Sequence, residues 1–121
     1  MLIGRFDPES ATKIIDITPS DIWRFNDYRD KSSATFKHDG WVLSTDEIES
    51  LDVNDLLLPL LNIVYPKKKQ IVDICNKFGI KSEISIEVYS KDRAFPAIHF
   101  DIDTIKRIVE LNAELDIDIV Y

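Results

Sequence analysis

The densest group of functional side chains in the chain is His99-Phe100-Asp101-Ile102-Asp103. In an extended strand His99, Asp101 and Asp103 would project to one face, where they could ligate a metal or pair a base with an orienting carboxylate. The same acids suit a helix start, because Asp101 or Asp103 can cap a helix and favour its first turn. We favour the helix start, with His99 on a sheet face, and we predict no catalytic residue and no metal site.

A second pair of carboxylates, Asp116 and Asp118, alternates with apolar residues near the end of the sequence. Two such groups on one strand face could bind a hard cation or share a proton. No calcium-loop spacing accompanies them, so a solvated strand face is the preferred interpretation. No phosphate loop, nucleophile elbow, zinc-ligand pattern or dinucleotide fingerprint is present in the sequence, and we therefore predict no cofactor.

A third group interleaves aromatic and basic residues, namely Trp23, Arg24, Phe25, Tyr28, Arg29 and Lys31. Such patches can stack on bases and contact phosphates. Nearby acids dilute the positive charge, and the aromatic rings are equally suited to anchoring a loop on the core. We predict that Trp23 is an anchor and Arg24 a surface ion-pair partner. Four of the residues remain a secondary candidate patch: Trp23, Arg24, Tyr28 and Arg29.

Alternation of apolar and polar residues predicts the strands that must position these groups. Between Ser82 and Ser90 the apolar residues Ile84, Ile86 and Val88 alternate with polar ones, so one strand face is buried and the other is not. Further strands are predicted at 2–6, 41–45, 95–100 and 115–121. The charged residues Lys91-Asp92-Arg93 would connect the strand at 82–90 to its returning partner at 95–100.

Helix signals fall between these strands. Asp7 and Pro8 start a first helix, and two helices joined end to end cover 53–79, interrupted by Pro59 and restarted at Pro66. The last helix would place Ile105, Ile108 and Val109 on one side. From residue 41 to 121 the element order is that of a ferredoxin-like βαββαβ core, with an N-terminal strand and helix extending the same sheet. We predict an α+β fold with helices mainly on one sheet face.

Composition limits the function classes. The 121 residues suit one domain, 1–121, and a net charge of -7, from 15 basic and 22 acidic residues, disfavours nucleic-acid binding. The single cysteine, Cys75, lies among apolar residues and is expected in the core. No apolar stretch is long enough to cross a membrane. We expect a cytoplasmic protein without membrane or nucleic-acid partners, present as a monomer or homodimer.

Four motifs in order resemble a known family: Phe6-Asp7-Pro8-Glu9, Trp23-Arg24, Gly40-Trp41 running to Ser44-Thr45, and the C-terminal Leu115-Asp116-Ile117-Asp118-Ile119-Val120-Tyr121. The chain resembles the bacterial family DUF4279, a domain of unknown function. The sequence departs from the family pattern in having a shorter first strand and an extra Val120 before Tyr121. The resemblance implies no activity, cofactor or catalytic residue. It offers one hint, because some members are similar in setting to toxin-immunity proteins.

The polar face of the predicted sheet collects the candidate partner-binding residues Glu87, Tyr89, His99, Asp116 and Asp118, together with Ser85. An acidic face with a tyrosine suits recognition of a basic protein, because complementary charge speeds association. The first hypothesis is therefore a non-enzymatic binding module that captures a basic protein, with an immunity-type protein as one form of it. Two alternatives remain open: an enzyme or small-ligand protein with a pocket around His99, and an oligomerisation domain.

Overall fold

The computed structural model describes residues 1–29, 33–92 and 94–120 of a mixed α+β domain. Its strands are β1 (Leu2–Gly4), β2 (Asp21–Trp23), β3 (Asp39–Val42), β4 (Lys81–Tyr89) and β5 (Ala113–Val120). Its helices are α1 (Pro8–Ile15), α2 (Val53–Val64), α3 (Lys68–Phe78) and α4 (Ile102–Glu110), with a single 3₁₀ turn, Tyr65–Lys67, between α2 and α3.

The strands form one five-stranded sheet in the order β2-β3-β1-β4-β5. Strand β1 pairs antiparallel with both β3 and β4, whereas β4 and β5 run parallel over their whole shared length. The N-terminal strand was predicted as an extension of the sheet, and this is wrong, because β1 is its central strand. The three residues of β1, together with Met1 before them, join the two halves of the sheet.

The ferredoxin-like topology is not confirmed, because the predicted strand at 95–100 does not form. Only Ala97 pairs there, through an isolated parallel bridge to Asp52. Pro96 has no main-chain N–H to give to a ladder, and the edge of β4 that a returning strand needs is occupied by β5. The chain therefore crosses over through α4 and returns parallel to β4.

All four helices pack on one face of the sheet, which confirms that part of the prediction. The buried row Ile84, Ile86 and Val88 of β4 faces this helix layer, together with Trp41 of β3 and the partly buried apolar residues of β5. Cys75 on α3 is buried in the same core, as expected, and burial raises the pKa of its thiol.

The helix boundaries follow local capping chemistry. The side chains of Asp7, Asp52 and Asp101 each accept a main-chain N–H at the start of a helix, and Gly79 ends α3 with a φ of 63°. The hydrogen bonds from Thr104 lower the pKa of the Asp101 carboxyl. The predicted interruption at Pro59 is wrong, because α2 continues through this exposed residue.

Helix α4 buries only part of the predicted apolar side, because Ile108 is buried and its two predicted companions are not. Its buried residues are Thr104 and Ile108, whereas Ile105 and Val109 are 49% and 69% exposed. The residue spacing predicts an apolar stripe, but only contact with the sheet decides which part of the stripe is covered. In α4 the stripe lies partly beyond the edge of the helix layer.

Asp39 links three parts of the chain beneath the N-terminal end of α1. This residue is 8% exposed, and its carboxylate accepts the main-chain N–H groups of Phe6 at 3.0 Å and Phe25 at 2.8 Å. The Nε of Arg5 lies 3.6 Å from the same carboxylate. One side chain of β3 thus holds both the β1–α1 connection and the segment that follows β2.

Candidate functional site

The side of β4 and β5 that faces away from the helices is an exposed surface, which we call the acidic face. It consists of Ser85, Glu87 and Tyr89 from β4 and Glu114, Asp116 and Asp118 from β5. The parallel register places Glu87 beside Asp118 and Ser85 beside Asp116. Alternation therefore brings four of the five predicted partner-binding residues onto one surface: Glu87, Tyr89, Asp116 and Asp118.

The charges of the acidic face are largely uncompensated. Lys81 pairs with Glu114, with 3.3 Å between Nζ and Oε1. Within the described ranges, no cation forms an ion pair with Glu87, Asp116 or Asp118. Because Glu87 and Asp118 are register neighbours on parallel strands about 4.8 Å apart, their like charges repel each other.

Tyr89 and Glu87 form a hydrogen-bonded pair on this face. The Tyr89 hydroxyl donates to Oε2 of Glu87 at 2.6 Å, although Tyr89 is 61% exposed. This hydrogen bond, reinforced by the charges of Glu87 and Glu47, raises the pKa of the Tyr89 phenol. Glu47 and Tyr89 line one cavity, so the loop after β3 lies near the same corner of the sheet.

The Tyr89–Glu87 contact predicts the titration of one phenol. We expect Glu87→Gln to lower the pKa of Tyr89 towards its ordinary value, because the variant removes both the charged acceptor and its field. Glu47→Gln should give a smaller change in the same direction, since Glu47 acts only through its charge. NMR titration of the Tyr89 ring measures both effects. A Tyr89 pKa unmoved by Glu87→Gln would show that the pair does not form.

The prediction that His99 lies on the sheet face is wrong. His99 is exposed in the irregular segment before α4, because residues 95–100 do not form a strand. Asp101 caps α4 and Asp103 lies in its first turn, as the helix-start interpretation predicted. Among residues 1–29, 33–92 and 94–120, no group of three or more His, Cys, Asp and Glu side chains is arranged to hold a metal ion.

A large opening in the sheet adjoins the acidic face, and we call it the strand gap. It lies between the segment Leu43–Leu51 and residues Ile84–Tyr89 of β4, with α2 beneath it, and its volume is about 1040 Å³. The gap exists because β1 is short: β4 continues for seven residues past its pairing with β1 at Ser82. Glu87 and Tyr89 belong to both the acidic face and the lining of the gap.

The secondary patch has a structural role at the other end of the sheet. The indole of Trp23 lies over Gly40, stacks on Phe36 with centroids 4.8 Å apart, and donates from Nε1 to Nδ1 of His38 at 3.4 Å. Arg24 forms ion pairs with Asp7 at 2.9 Å and Glu9 at 3.6 Å. The ion-pair prediction for Arg24 is confirmed, whereas Trp23 packs on Gly40 and Phe36 rather than on the hydrophobic core.

The remaining members of that patch lie on an arm that folds over Trp23. Arg29 donates its main-chain N–H to Ala34 at 2.9 Å, with its guanidinium 5.7 Å from the Phe36 ring, and Tyr28 forms an isolated bridge to Thr35. Lys31, which belonged to the sequence pattern, lies outside the described residues. Strands β3 and β1 separate the patch from the acidic face.

Sequence reasoning missed the acidic segment after β3. Asp46, Glu47 and Glu49 line the strand gap, but they stand in a polar stretch without periodicity. The signal lies in the pairing of a nine-residue β4 with a three-residue β1, which leaves part of the β4 edge unpaired and is visible only in the folded structure.

Comparisons with known proteins give a single result. No curated protein and no solved structure matches the chain. In the described part of the chain no helix has the length and apolar character needed to cross a membrane. A family model described as a domain of unknown function (DUF4279) matches residues 2–121, which confirms the resemblance seen in the sequence motifs. The chain therefore belongs to the DUF4279 family.

Proposed function

We propose that this domain is a non-enzymatic binding module that captures a basic protein through the acidic face. The observation that carries the proposal is the row of exposed carboxylates on adjacent strands, Glu87, Asp116 and Asp118, without a compensating cation among the described residues. Like charges held side by side oppose folding, and a basic partner would relieve that repulsion on binding.

The chemistry of the face suits protein recognition. Tyr89 contributes aromatic area with a polar tip, and tyrosine is enriched at protein interfaces. The regular strands already order the backbone that carries the carboxylates. Little backbone entropy is therefore lost when a partner binds. A toxin with a basic active site is one partner of this class, which is the immunity-type role considered from the sequence.

The same carboxylates disfavour the alternative of a homodimer seam on this face. Two copies would bring two acidic rows together, and like charges across an interface cost free energy. His99, on which the enzyme alternative depended, lies away from the sheet on an exposed segment. The binding-module proposal is therefore the one that the geometry favours.

Charge reversal tests the proposal. We expect Asp118→Lys to weaken capture of the partner about tenfold, and the triple replacement of Glu87, Asp116 and Asp118 by Lys to abolish it, because each change replaces attraction by repulsion. The measurement is affinity capture by immobilised domain from the cells that make it, followed by identification of bound proteins and their salt dependence.

Asp73→Lys on the exposed side of α3 is the matched control, because it changes net charge by the same amount away from the sheet face. Proteins retained by the wild type and Asp73→Lys but lost by Asp118→Lys support the proposal. Equal capture by all variants at low salt contradicts it.

A further inference from the structure

The strand gap has unpaired main-chain groups on its β4 side. Glu83 and Met1 exchange hydrogen bonds, with Glu83 N to Met1 O at 2.7 Å and Met1 N to Glu83 O at 2.6 Å. Ser90 N, in contrast, donates to Val120 O of β5 at 2.8 Å. Because main-chain groups alternate sides along a strand, those of Ser85, Glu87 and Tyr89 point the same way as Glu83, into the gap.

The opposite wall of the gap offers the same kind of groups. Val42 accepts the main-chain N–H of Ser20 at 2.7 Å, and Ser44 donates its own to Oγ of Ser20 at 2.8 Å, so both point towards β2. The alternation then turns Leu43 and Thr45 towards the gap. In the described ranges no strand lies between these residues and β4. Because β3 and β4 both run antiparallel to β1, the chain after β3 and the rest of β4 run in the same direction past the end of β1.

The side-chain environment of the gap differs between its two faces. Towards the helix layer it is lined by Leu56, Leu57 and Leu60 of α2. Its charged lining consists of Glu87 and three acids of the segment after β3, Asp46, Glu47 and Glu49, against one cation among the described lining residues, Lys91. Ile48 and Leu51 at the rim are 46% and 45% exposed. A strand placed here would therefore contact apolar groups on one face and carboxylates on the other.

We infer that the strand gap binds an extended segment of the basic partner, with alternating apolar and Lys or Arg residues, as an added strand in the lane of β1. The inference rests on the proposed function for the partner's basic character. The segment would run antiparallel to β4, as β1 does, and could pair with Leu43 and Thr45 on one side and with Ser85, Glu87 and Tyr89 on the other. Strand addition gains affinity from main-chain hydrogen bonds and specificity from alternate side chains.

The chemistry of the gap disfavours a second copy of this chain as the occupant. The long free-edged strand that another copy could offer is β5, which carries Glu114, Asp116 and Asp118 on one face. Insertion of that strand would place a row of acids beside Glu87 and Glu47. Lysine or arginine at the same positions would instead form opposite-charge pairs across the strands.

Synthetic peptides test the inference directly. The probe is acetyl-Lys-Val-Lys-Val-Lys-Val-amide, and the control is acetyl-Lys-Lys-Lys-Val-Val-Val-amide, which has the same composition and charge without the alternation. We expect the alternating peptide to bind at least about tenfold more tightly in NMR titrations. It should also slow amide hydrogen exchange at Ser85, Glu87 and Thr45.

Removal of main-chain donors separates strand pairing from charge attraction. N-methylation of the probe's valines should weaken binding at least about tenfold while leaving its charge unchanged. In the protein, Ser85→Pro removes an N–H that points into the gap, and Ser85→Ala retains it. We expect loss of binding only for the proline variant. The comparison with the N-methylated peptide uses the wild-type protein, so it tests strand pairing even if Ser85→Pro disturbs β4.

The outcomes distinguish this inference from the proposed function. Equal binding of both peptides, abolished by Asp116→Lys and Asp118→Lys, would overturn strand addition and support binding to the acidic face. Absence of binding of the alternating peptide at about 1 mM would overturn strand addition. The partner-capture experiment would then still test whether the acidic face binds a basic protein. Light scattering that shows a dimer with Ser85 and Glu87 protected would assign the gap to a second copy and overturn the inference.

Discussion

Asp39→Ala is expected to destabilise the domain by about 3–5 kcal/mol. The variant leaves the main-chain N–H groups of Phe6 and Phe25 without their acceptor in a mostly buried place. Each buried donor that loses its partner costs about 1–3 kcal/mol. The loss should appear as a lower midpoint in urea unfolding with an unchanged slope, because the surface exposed on unfolding stays the same.

Two variants control for this effect. Asp39→Asn keeps one acceptor oxygen but turns an NH₂ donor towards the other main-chain N–H, because Phe6 and Phe25 use different carboxylate oxygens, so it should still lose about half as much stability or more. Asp21→Ala removes an exposed carboxylate from the neighbouring strand β2 and should change stability by about 0.5 kcal/mol or less. If Asp39→Ala proved as mild as Asp21→Ala, the carboxylate would not be the link between the two segments.

Gly40→Ala is expected to cost about 3 kcal/mol, at the upper end of overpacking effects. A Cβ at position 40 would overlap the indole of Trp23, which lies against the β3 backbone. Gly40 is not among the glycines with positive φ, so backbone strain adds nothing to the steric effect. The displaced ring would also lose its stacking on Phe36, and thermal unfolding of the variant measures the total.

A double-mutant cycle isolates the cause of that loss. In a Trp23→Ala background the clash is absent, so Gly40→Ala should cost less than about 1 kcal/mol there. The two changes would then be strongly non-additive. An equal cost of Gly40→Ala in both backgrounds would mean that the indole does not cover this glycine.

Local sequence patterns predicted the parts of the fold that depend on local physics. Because Ile84, Ile86 and Val88 alternate with Ser85 and Glu87, the apolar residues must share one face of the strand and the polar residues the other. In β4 the apolar face is buried and the polar face is exposed. Caps work in the same way, because the carboxylate of Asp101 needs only the N–H of a residue on the next turn. These features needed no knowledge of distant partners.

Pairing between distant segments could not be read from the same patterns. Residues 95–100 have strand-like composition, but the edge of β4 is taken by β5, whose pairing starts at Ala113. The misplacement of His99 follows from that competition. The central position of β1 was equally hidden, since a short apolar segment reads the same at the middle of a sheet as at its edge.

The candidate site was predicted in part for the same reason. Glu87, Tyr89, Asp116 and Asp118 share a face because two alternating strands pair in register, and their role as a partner site stays a proposal. The strand gap was missed because it is defined by the difference in length between β1 and β4, not by a motif. The residues of the segment after β3 can be recognised as the lining of the gap only in the folded structure.

The brevity of β1 also bears on how the domain holds together as a unit. With two register pairs between β1 and β4, against eight between β4 and β5, the β4–β5 pair is coupled through the sheet to β1 and the β2–β3 ribbon more weakly than within itself. Cooperative unfolding must then be transmitted through the apolar contacts of the helix layer, where α1 and α3 bridge the two halves. Loosening of that layer would release the ribbons as separate folding units.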